Sequence, residues 1–351
     1  MKRNKNKGSI QTYEIAPENI LEVSDLHVHI AVDDYLLHAV RGVNFSIKKG
    51  ETLGLVGESG CGKSVTSKEI MGINPDNCKS DGKILFRTKE GPVLNLLDLD
   101  RDGERYREIR GSEISMIFQE PMTSFSPLYT IGNQLSEIIT LHDPSATKES
   151  AKKRVIEMLT KVGIANPEKR FNQYPHEFSG GMLQRALIAM MLCCDPDLLI
   201  ADEPTTALDV TIQAQILDLM RSLQDEFGMS ILFITHDLGI VANMCDKVAV
   251  MYLGEIVEFG TVKQIFNNPM HPYTKGLLRS LPKIDQDREE KLFIIDGVVP
   301  LPVDMGPCCG FHDRCKECVQ GICADQNIPE FEVEPGHMVR CILMDKQGKT
   351  S

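Results

Sequence analysis

The densest chemistry in the chain lies in Gly57-Glu58-Ser59-Gly60-Cys61-Gly62-Lys63-Ser64, which follows the apolar run 52–56 and leads into a helical stretch over 63–71. Glycines at this spacing let the backbone curl so that successive N–H groups face phosphate oxygens. The dipole of the following helix adds to that pull on anions. Lys63 brings a positive charge to β- and γ-phosphates, Ser64 brings a hydroxyl ligand for Mg²⁺, and Val65 continues the segment into the helix. A chance glycine-rich turn would not require a strand before it and a helix after it. The context points to nucleotide binding.

Leu198-Leu199-Ile200-Ala201-Asp202-Glu203 is an apolar strand that ends in two acids. Two acids after a strand usually form a solvated turn. Downstream of a phosphate loop they suit Asp202 to the Mg²⁺ shell, and Glu203 to polarising the attacking water as general base. His236 closes the strand 230–235, and Gln119 ends the strand 114–118. A lone histidine at a strand end is more often a structural hydrogen-bonding group. Parallel to the Asp202 strand, however, His236 would reach the γ-phosphate and Gln119 would reach Mg²⁺ or the water. Phe178-Ser179-Gly180-Gly181-Met182-Leu183-Gln184-Arg185 offers a second anion site, with a hydroxyl, free N–H groups and a positive helix end. One site already has its phosphate loop, so a second sensor suggests a nucleotide held between two subunits.

These residues need a frame. Over 20–47 the apolar positions partly alternate, as in half-buried antiparallel strands. The regions 84–100 and 114–118 read as further strands, and 120–195 is mostly helical; Val155, Met158, Leu159 and Val162 fall on one helix face. The wholly apolar runs 198–201 and 230–235 suit parallel strands buried on both faces. Between them, 210–227 is helical, and 248–252 with 255–259 suggests a hairpin around Leu253-Gly254. From about Gln264 onward Pro and Cys become frequent, which marks a second unit. The organisation expected is a flexible tail over 1–20, one large domain over 21–264 with a helical part at about 120–196, and a C-terminal extension over 265–351.

A chain of 351 residues with 42% hydrophobic and 25% charged side chains can bury a large core. Its 50 acidic against 38 basic residues give a net charge of -12, which argues against nucleic acid or anionic lipid as the main partner. The most apolar helical run, 186–194, is far short of the roughly 18 residues a spanning helix needs. The basic start 1–7 leads to no apolar segment and reads as a tail rather than a signal peptide. Cys308, Cys309, Cys315, Cys318, Cys323 and Cys341 crowd the final segment. In a reducing compartment such a cluster more often binds metal than forms disulfides.

In the order phosphate loop, Gln119, Ser179-Gly180-Gly181, Asp202-Glu203, Thr206-Ala207-Leu208-Asp209 and His236, the chain resembles the ATP-binding subunits of ABC transporters over about 21–260. The resemblance implies an α/β P-loop NTPase fold. Its parts are a mainly parallel core sheet, an antiparallel β subdomain, a helical signature subdomain and a small Cys-rich C-terminal domain. It implies ATP and Mg²⁺ as cofactors, with Ser64, Gln119 and Asp202 as candidate Mg²⁺ contacts. Ser179, Gly180, Gly181 and Asp209 would complete the nucleotide site, and Tyr35 is the candidate aromatic for stacking on adenine. An aromatic at a strand end is otherwise plain core. Phe178 and Met182 stand where the family usually has Leu and Gln; the lysine, both acids and the histidine are in place.

Two segments, Phe118-Gln119-Glu120-Pro121-Met122-Thr123-Ser124-Phe125-Ser126-Pro127 and His271-Pro272-Tyr273-Thr274 followed by Leu277-Leu278, resemble the oligopeptide and dipeptide importer branch. So does Cys309-Gly310-Phe311-His312-Asp313-Arg314-Cys315, with Cys323 and Cys341 beyond it. Four thiolates in a compact segment can hold zinc or an iron–sulfur cluster, and Cys315-Lys316-Glu317-Cys318 would suit zinc. The resemblance implies a [4Fe–4S] cluster on Cys309, Cys315, Cys323 and Cys341, with Cys308 and Cys318 as alternates. It also implies a second ATPase subunit, identical or similar, two permeases and an extracytoplasmic peptide-binding protein, with the chain held peripherally at the cytoplasmic membrane face. A nickel or other small-solute importer, a soluble ABC ATPase acting on DNA or ribosomes, and a redox- or metal-sensing role for the extension stay open.

Overall fold

The computed structural model describes residues 12–119, 121–206, 208–281, 294–303 and 305–345, without the side chains of Pro121 and Met122. Two long strands, β1 (Asn19–Val32) and β2 (Tyr35–Lys48), pair antiparallel. A short buried strand, β3 (Thr52–Val56), passes through the phosphate loop into α1 (Lys63–Ile70). Then come β4 (Cys78–Arg87), β5 (Val93–Asn95), α2 (Glu104–Ile109) and β6 (Ile114–Ile117).

A run of helices follows: α3 (Pro121–Ser124), α4 (Ile131–His142), α5 (Lys148–Lys161), α6 (Pro167–Phe171) and α7 (Gly180–Leu192). Their starts are written in the sequence. Thr130 caps α4 through the Asn133 N–H, and Thr147 forms a reciprocal capping box with Ser150 on α5. The chain then alternates β7 (Leu198–Asp202), α8 (Val210–Phe227), β8 (Ser230–Thr235), α9 (Leu238–Met244) and β9 (Lys247–Tyr252). It closes with β10 (Glu255–Thr261), α10 (Val262–Asn267), α11 (Pro272–Arg279), β11 (Phe331–Glu334) and β12 (His337–Val339).

The strands form two sheets. One is antiparallel, in the order β2-β1-β4-β5; the other runs β11-β12-β10-β9-β3-β8-β7-β6. From β9 through β6 every pairing is parallel, so β3, β8, β7 and β6 all end on the same edge. Crossover helices must therefore cover both faces. The alternation of side chains along one strand makes this concrete. Leu198 and Ile200 of β7 pack into the core shared with the antiparallel sheet, while Leu199 and Ala201 pack into the core of the helical region. On β8, Leu232 and Ile234 divide from Ile231 and Phe233 in the same way.

The region 84–100 is not continuous strand. A turn closed by the Thr88 N–H to the Pro92 carbonyl at 3.0 Å separates β4 from β5, and Gly91 takes φ 105° in it. Asn95 then bends the chain, its Oδ1 accepting from the Ile84 and Leu97 N–H groups. Of the tail expected over 1–20, residues 1–11 lie outside the described residues. Tyr13 is pinned, donating its hydroxyl to Asp98 at 2.6 Å and pairing with Val93.

The segment beyond Gln264 is built onto the main sheet rather than set apart from it. Strand β12 pairs with β10 (Glu258 with Val339, Phe259 with Met338), and β11 adds outside β12. Tyr273 and Phe311 share a buried cluster with Val250, Tyr252 and Val257 of the hairpin. The join is also polar. The fully buried Glu258 carboxylate meets His337 Nε2 at 2.8 Å and accepts from the Met270 and His271 N–H groups.

Glu258→Ala would leave the buried His271 N–H and His337 ring, and the part-buried Met270 N–H, without their partner, a cost of about 3 kcal/mol or more. We expect a lower thermal midpoint and faster proteolytic release of the C-terminal residues, and a smaller loss in Glu258→Gln, which keeps one acceptor oxygen.

Candidate nucleotide site

Each residue singled out on the parallel strands emerges at the shared edge. β3 delivers Gly57, β8 delivers His236, β7 delivers Asp202 and Glu203, and β6 delivers Gln119 through Phe118. This is the edge where open α/β sheets bind their ligands. A cleft of about 790 Å³ lies there, lined by Gly57, Glu58, Ser59, Gly60, Cys61, Gly62, Lys63, Ser64 and Val65 along its floor. Gln119, Glu203, Thr206 and His236 line one end, and Ile30, Leu37, Ala39, Leu301 and Pro302 give the other end an apolar wall.

The loop geometry demands its glycines. Gly62 has φ 105°, and a Cβ there would meet the Ala39 carbonyl oxygen at 2.5 Å. A Cβ at Gly57 would stand 2.1 Å from the Met251 carbonyl oxygen. Lys63, almost fully buried, folds its ammonium back onto the carbonyl oxygens of Gly57 at 2.7 Å and Glu58 at 3.0 Å. The Ser64 hydroxyl donates to Asp202 Oδ1 at 3.1 Å, so the two expected Mg²⁺ contacts already face each other. Burial raises the Asp202 carboxyl above the ordinary range, against the lowering effect of that hydrogen bond.

Glu203 is the hub of the cleft end lined by Gln119, Thr206 and His236. Its carboxylate accepts from Gln119 Nε2 at 3.0 Å and from the Thr206 hydroxyl at 2.9 Å, and meets His236 Nδ1 at 3.0 Å. Burial alone would raise its pKa, but the hydrogen bonds from His236 and Thr206 hold it below the usual carboxylate value. Its backbone is left-handed, with φ 48°, a conformation costly for a side-chain-bearing residue. That bend turns the chain out of β7 while the Glu203 N–H stays paired with the Ile234 carbonyl at 2.9 Å. Thr206 was missed in the sequence reading as a side chain of the site. Its only signal was its place inside Thr206-Ala207-Leu208-Asp209, of which Ala207 lies outside the described residues.

Other expected residues lie elsewhere. Ser179 caps α7, accepting from the Met182 N–H, and with Gly180 it is exposed. Nothing stands within 4 Å of a Cβ placed at Gly180. Neither residue, nor Gly181, borders the cleft of its own chain. Asp209 spends Oδ1 on the Thr211 and Ile212 N–H groups as cap of α8. Tyr35 is 62% exposed at the start of β2, so it is not core, and it does not line the cleft.

In the extension, Cys309 lies near Cys323 and Cys341, and Cys341 lies near Cys315 and Cys323. Burial pushes the Cys309 thiol up to about 12, and Cys323 and Cys341 push it further. Burial pushes Cys341 up to about 11, with Cys315 and Cys323 adding to it. The Cys309 N–H donates to the Cys323 carbonyl at 2.7 Å. Cys318 sits beside Cys323, whereas Cys308 turns toward Arg41 and Glu255. Among the described residues no three Cys, His, Asp or Glu side chains converge closely enough to hold one metal ion, so the ligand set expected for a single zinc is not assembled.

A strand–loop–helix phosphate cradle, two acids, a glutamine and a histidine at one sheet edge define an ATP-hydrolysing cassette. The profile described as ABC transporter matches residues 40–206, and that described as oligopeptide/dipeptide transporter, C-terminal region, matches 257–323. The dipeptide transport ATP-binding protein DppD of Lactococcus lactis is 48% identical over 95% of this chain and 93% of its own length. The oligopeptide transport ATP-binding protein OppD of Bacillus subtilis is 50% identical over 93% of this chain and 89% of its own. Among solved structures, a dimeric ATP-binding cassette bound to ADP and Pi superposes with TM-score 0.60, 25% identity, and coverage of 69% of this chain and 98% of that one. The chain belongs to the ATP-binding proteins of ABC transporters and is an ABC-type ATPase.

Glu203→Gln keeps the shape of the side chain and removes the carboxylate expected to act as base. We expect ATP binding to persist while turnover falls by about 100-fold or more, measured as phosphate release. Because the wild-type carboxyl is held below its ordinary value, it stays ionised at every higher pH. The rate profile should therefore show no acid limb from Glu203 near neutrality.

Proposed function

We propose that the chain powers uptake of dipeptides or oligopeptides as one of two paired ATPase subunits at the cytoplasmic face of a membrane. The observation that carries this reading is the division of its chemistry. Lys63, Glu203 and His236 share one cleft, while Ser179 and Gly180 are exposed outside it, with Gly181 half-buried beside them, and so the first two are free to meet the nucleotide of a partner. Closure of two such subunits on ATP, and reopening after hydrolysis, is the motion that permeases can use. The peptide assignment is supported by the relatives named above and by the match of the extension to the oligopeptide/dipeptide region.

Among the described residues no helix is long and apolar enough to cross a membrane, so work at a bilayer would pass through permease subunits. The segment between Gln119 and α4 suits that docking. Gln119 touches the base, and Leu128 and Tyr129 are 78% and 58% exposed a few residues on. Cargo would be chosen by the permeases and an extracytoplasmic binding protein. Assembled with those partners, the ATPase should be stimulated by peptide and not by Ni²⁺. The opposite response would support the nickel reading, and stimulation of the lone chain by DNA or ribosomes would support the soluble one.

Cys309, Cys315, Cys323 and Cys341 are the residues that would hold the [4Fe–4S] cluster implied by the resemblance of the extension. Bound there, the cluster would cross-link the loop 309–323 to Cys341 and serve a structural role. Anaerobically purified protein should contain iron and acid-labile sulfide in equal amounts and no zinc. Cys341→Ala should lose both, and Cys308→Ala should keep them.

A further inference from the structure

Two sequence motifs are not used by hydrolysis: His271-Pro272-Tyr273-Thr274 and Cys309-Gly310-Phe311-His312-Asp313-Arg314-Cys315. In the folded chain both converge on one residue of the phosphate loop, Glu58. The Arg314 guanidinium grips the Glu58 carboxylate with both arms, Nη1 to Oε2 at 2.7 Å and Nη2 to Oε1 at 3.1 Å. Its remaining donors are all engaged: Nε on the Asp296 carbonyl, Nη2 also on the Ile295 carbonyl, and Nη1 also on the Tyr252 hydroxyl. The side chain is only 5% exposed and packs over the Tyr252 and Phe311 rings. From the other side, the Glu58 N–H donates to the hydroxyl of the fully buried Tyr273 at 2.9 Å. Tyr273 is itself set by the Tyr252 ring at 4.7 Å and the Phe311 ring at 5.4 Å.

Glu58 thus has its backbone donor and its side chain fixed by two separate parts of the extension. A bidentate arginine–carboxylate pair whose guanidinium is buried, with the carboxylate half-buried, fixes geometry as well as position. The same residue supplies one of the two carbonyl oxygens that hold the Lys63 ammonium. Positional freedom at Glu58 would therefore be freedom at the phosphate-binding lysine. Hydrogen bonds that cost nothing to reorganise when ligand arrives raise affinity through pre-organisation.

We propose that Tyr273 and Arg314 are positioning residues for the phosphate loop, so that the C-terminal extension sets the affinity of the ATPase for its nucleotide. The inference rests on the assignment of the cleft to ATP. It makes the extension a buttress of the motor: loss of order in the Cys309–Cys315 loop would reach Lys63 through Arg314 and Glu58.

The test uses the full-length chain and a fluorescent ATP analogue, with steady-state hydrolysis in parallel. Tyr273→Phe removes one hydroxyl from a packed ring and should raise Kd for the analogue roughly threefold to tenfold, the range of a single hydrogen bond. Arg314→Gln should raise it at least as much. In both, KM for ATP should rise while kcat at saturating ATP stays within about twofold, because the base and its partners are untouched. Wild-type Kd and KM in the variants, with only a lowered thermal midpoint, would overturn the proposal and reduce both residues to anchors of the extension. If Arg314→Gln does not fold, Tyr273→Phe decides by the same criterion. Failure of the wild-type chain to bind the analogue would instead overturn the ATP assignment.

Discussion

The structure depends on one constraint, the parallel pairing of β3, β8, β7 and β6. Parallel strands end together, and only for that reason do Gly57, His236, Glu203 and Gln119, spread over 180 residues of sequence, come within hydrogen-bonding reach of one cleft. The pairing carries a demand with it. A parallel sheet needs both faces covered, and this chain meets the demand with two different materials. One face is covered by α1 and the antiparallel sheet, the other by the helices that also carry Ser179. The residues expected to meet this chain's own nucleotide thus stand at the sheet edge, while those expected to meet a partner's are carried by one of its two covering layers.

At the cleft, local strain and electrostatics finish what the sheet begins. Glu203 is bent into a left-handed backbone immediately after β7, and three hydrogen bonds hold its carboxylate. Three partners from three chain segments define its direction more tightly than its own rotamer could. The bonds from His236 and Thr206 also hold its pKa below the usual carboxylate value, the state a general base would need.

Much of this was legible in the sequence because it is local. The apolar runs of β3 and β8 and the helix 210–227 were read at their observed bounds, and Asp209 and Gly228 bracket that helix as cap and left-handed stop. The order of motifs along the chain gave the site its members. The region 84–100 reads as one strand only if the polar stretch Arg87-Thr88-Lys89-Glu90-Gly91-Pro92 is passed over; that stretch is the turn between β4 and β5, with Gly91 at φ 105°, and Asn95 then bends the chain a second time. Tyr35 could not be placed, since the same aromatic at a strand end serves core, surface or cleft depending on how two strands twist.

The extension was the least legible part, for a physical reason. Its contacts with the motor join residues far apart in sequence: Glu58 with Tyr273 and Arg314, Glu258 with His337, Arg41 with Met305. Composition separates it, with proline and cysteine replacing regular periodicity, so it reads as a second unit. Pairing joins it, because β12 has an open edge of β10 to add to, and an unpaired edge strand is a standing liability. The rings of Tyr252, Tyr273 and Phe311 then fill the corner between hairpin and extension, and the guanidinium of Arg314 is packed against two of them. A charge so placed must find its counter-charge at short range, and the nearest carboxylate is Glu58 of the phosphate loop. Burying the corner and bracing the loop are therefore the same event, which ties the irregular, cysteine-rich end of the chain to its most regular chemistry.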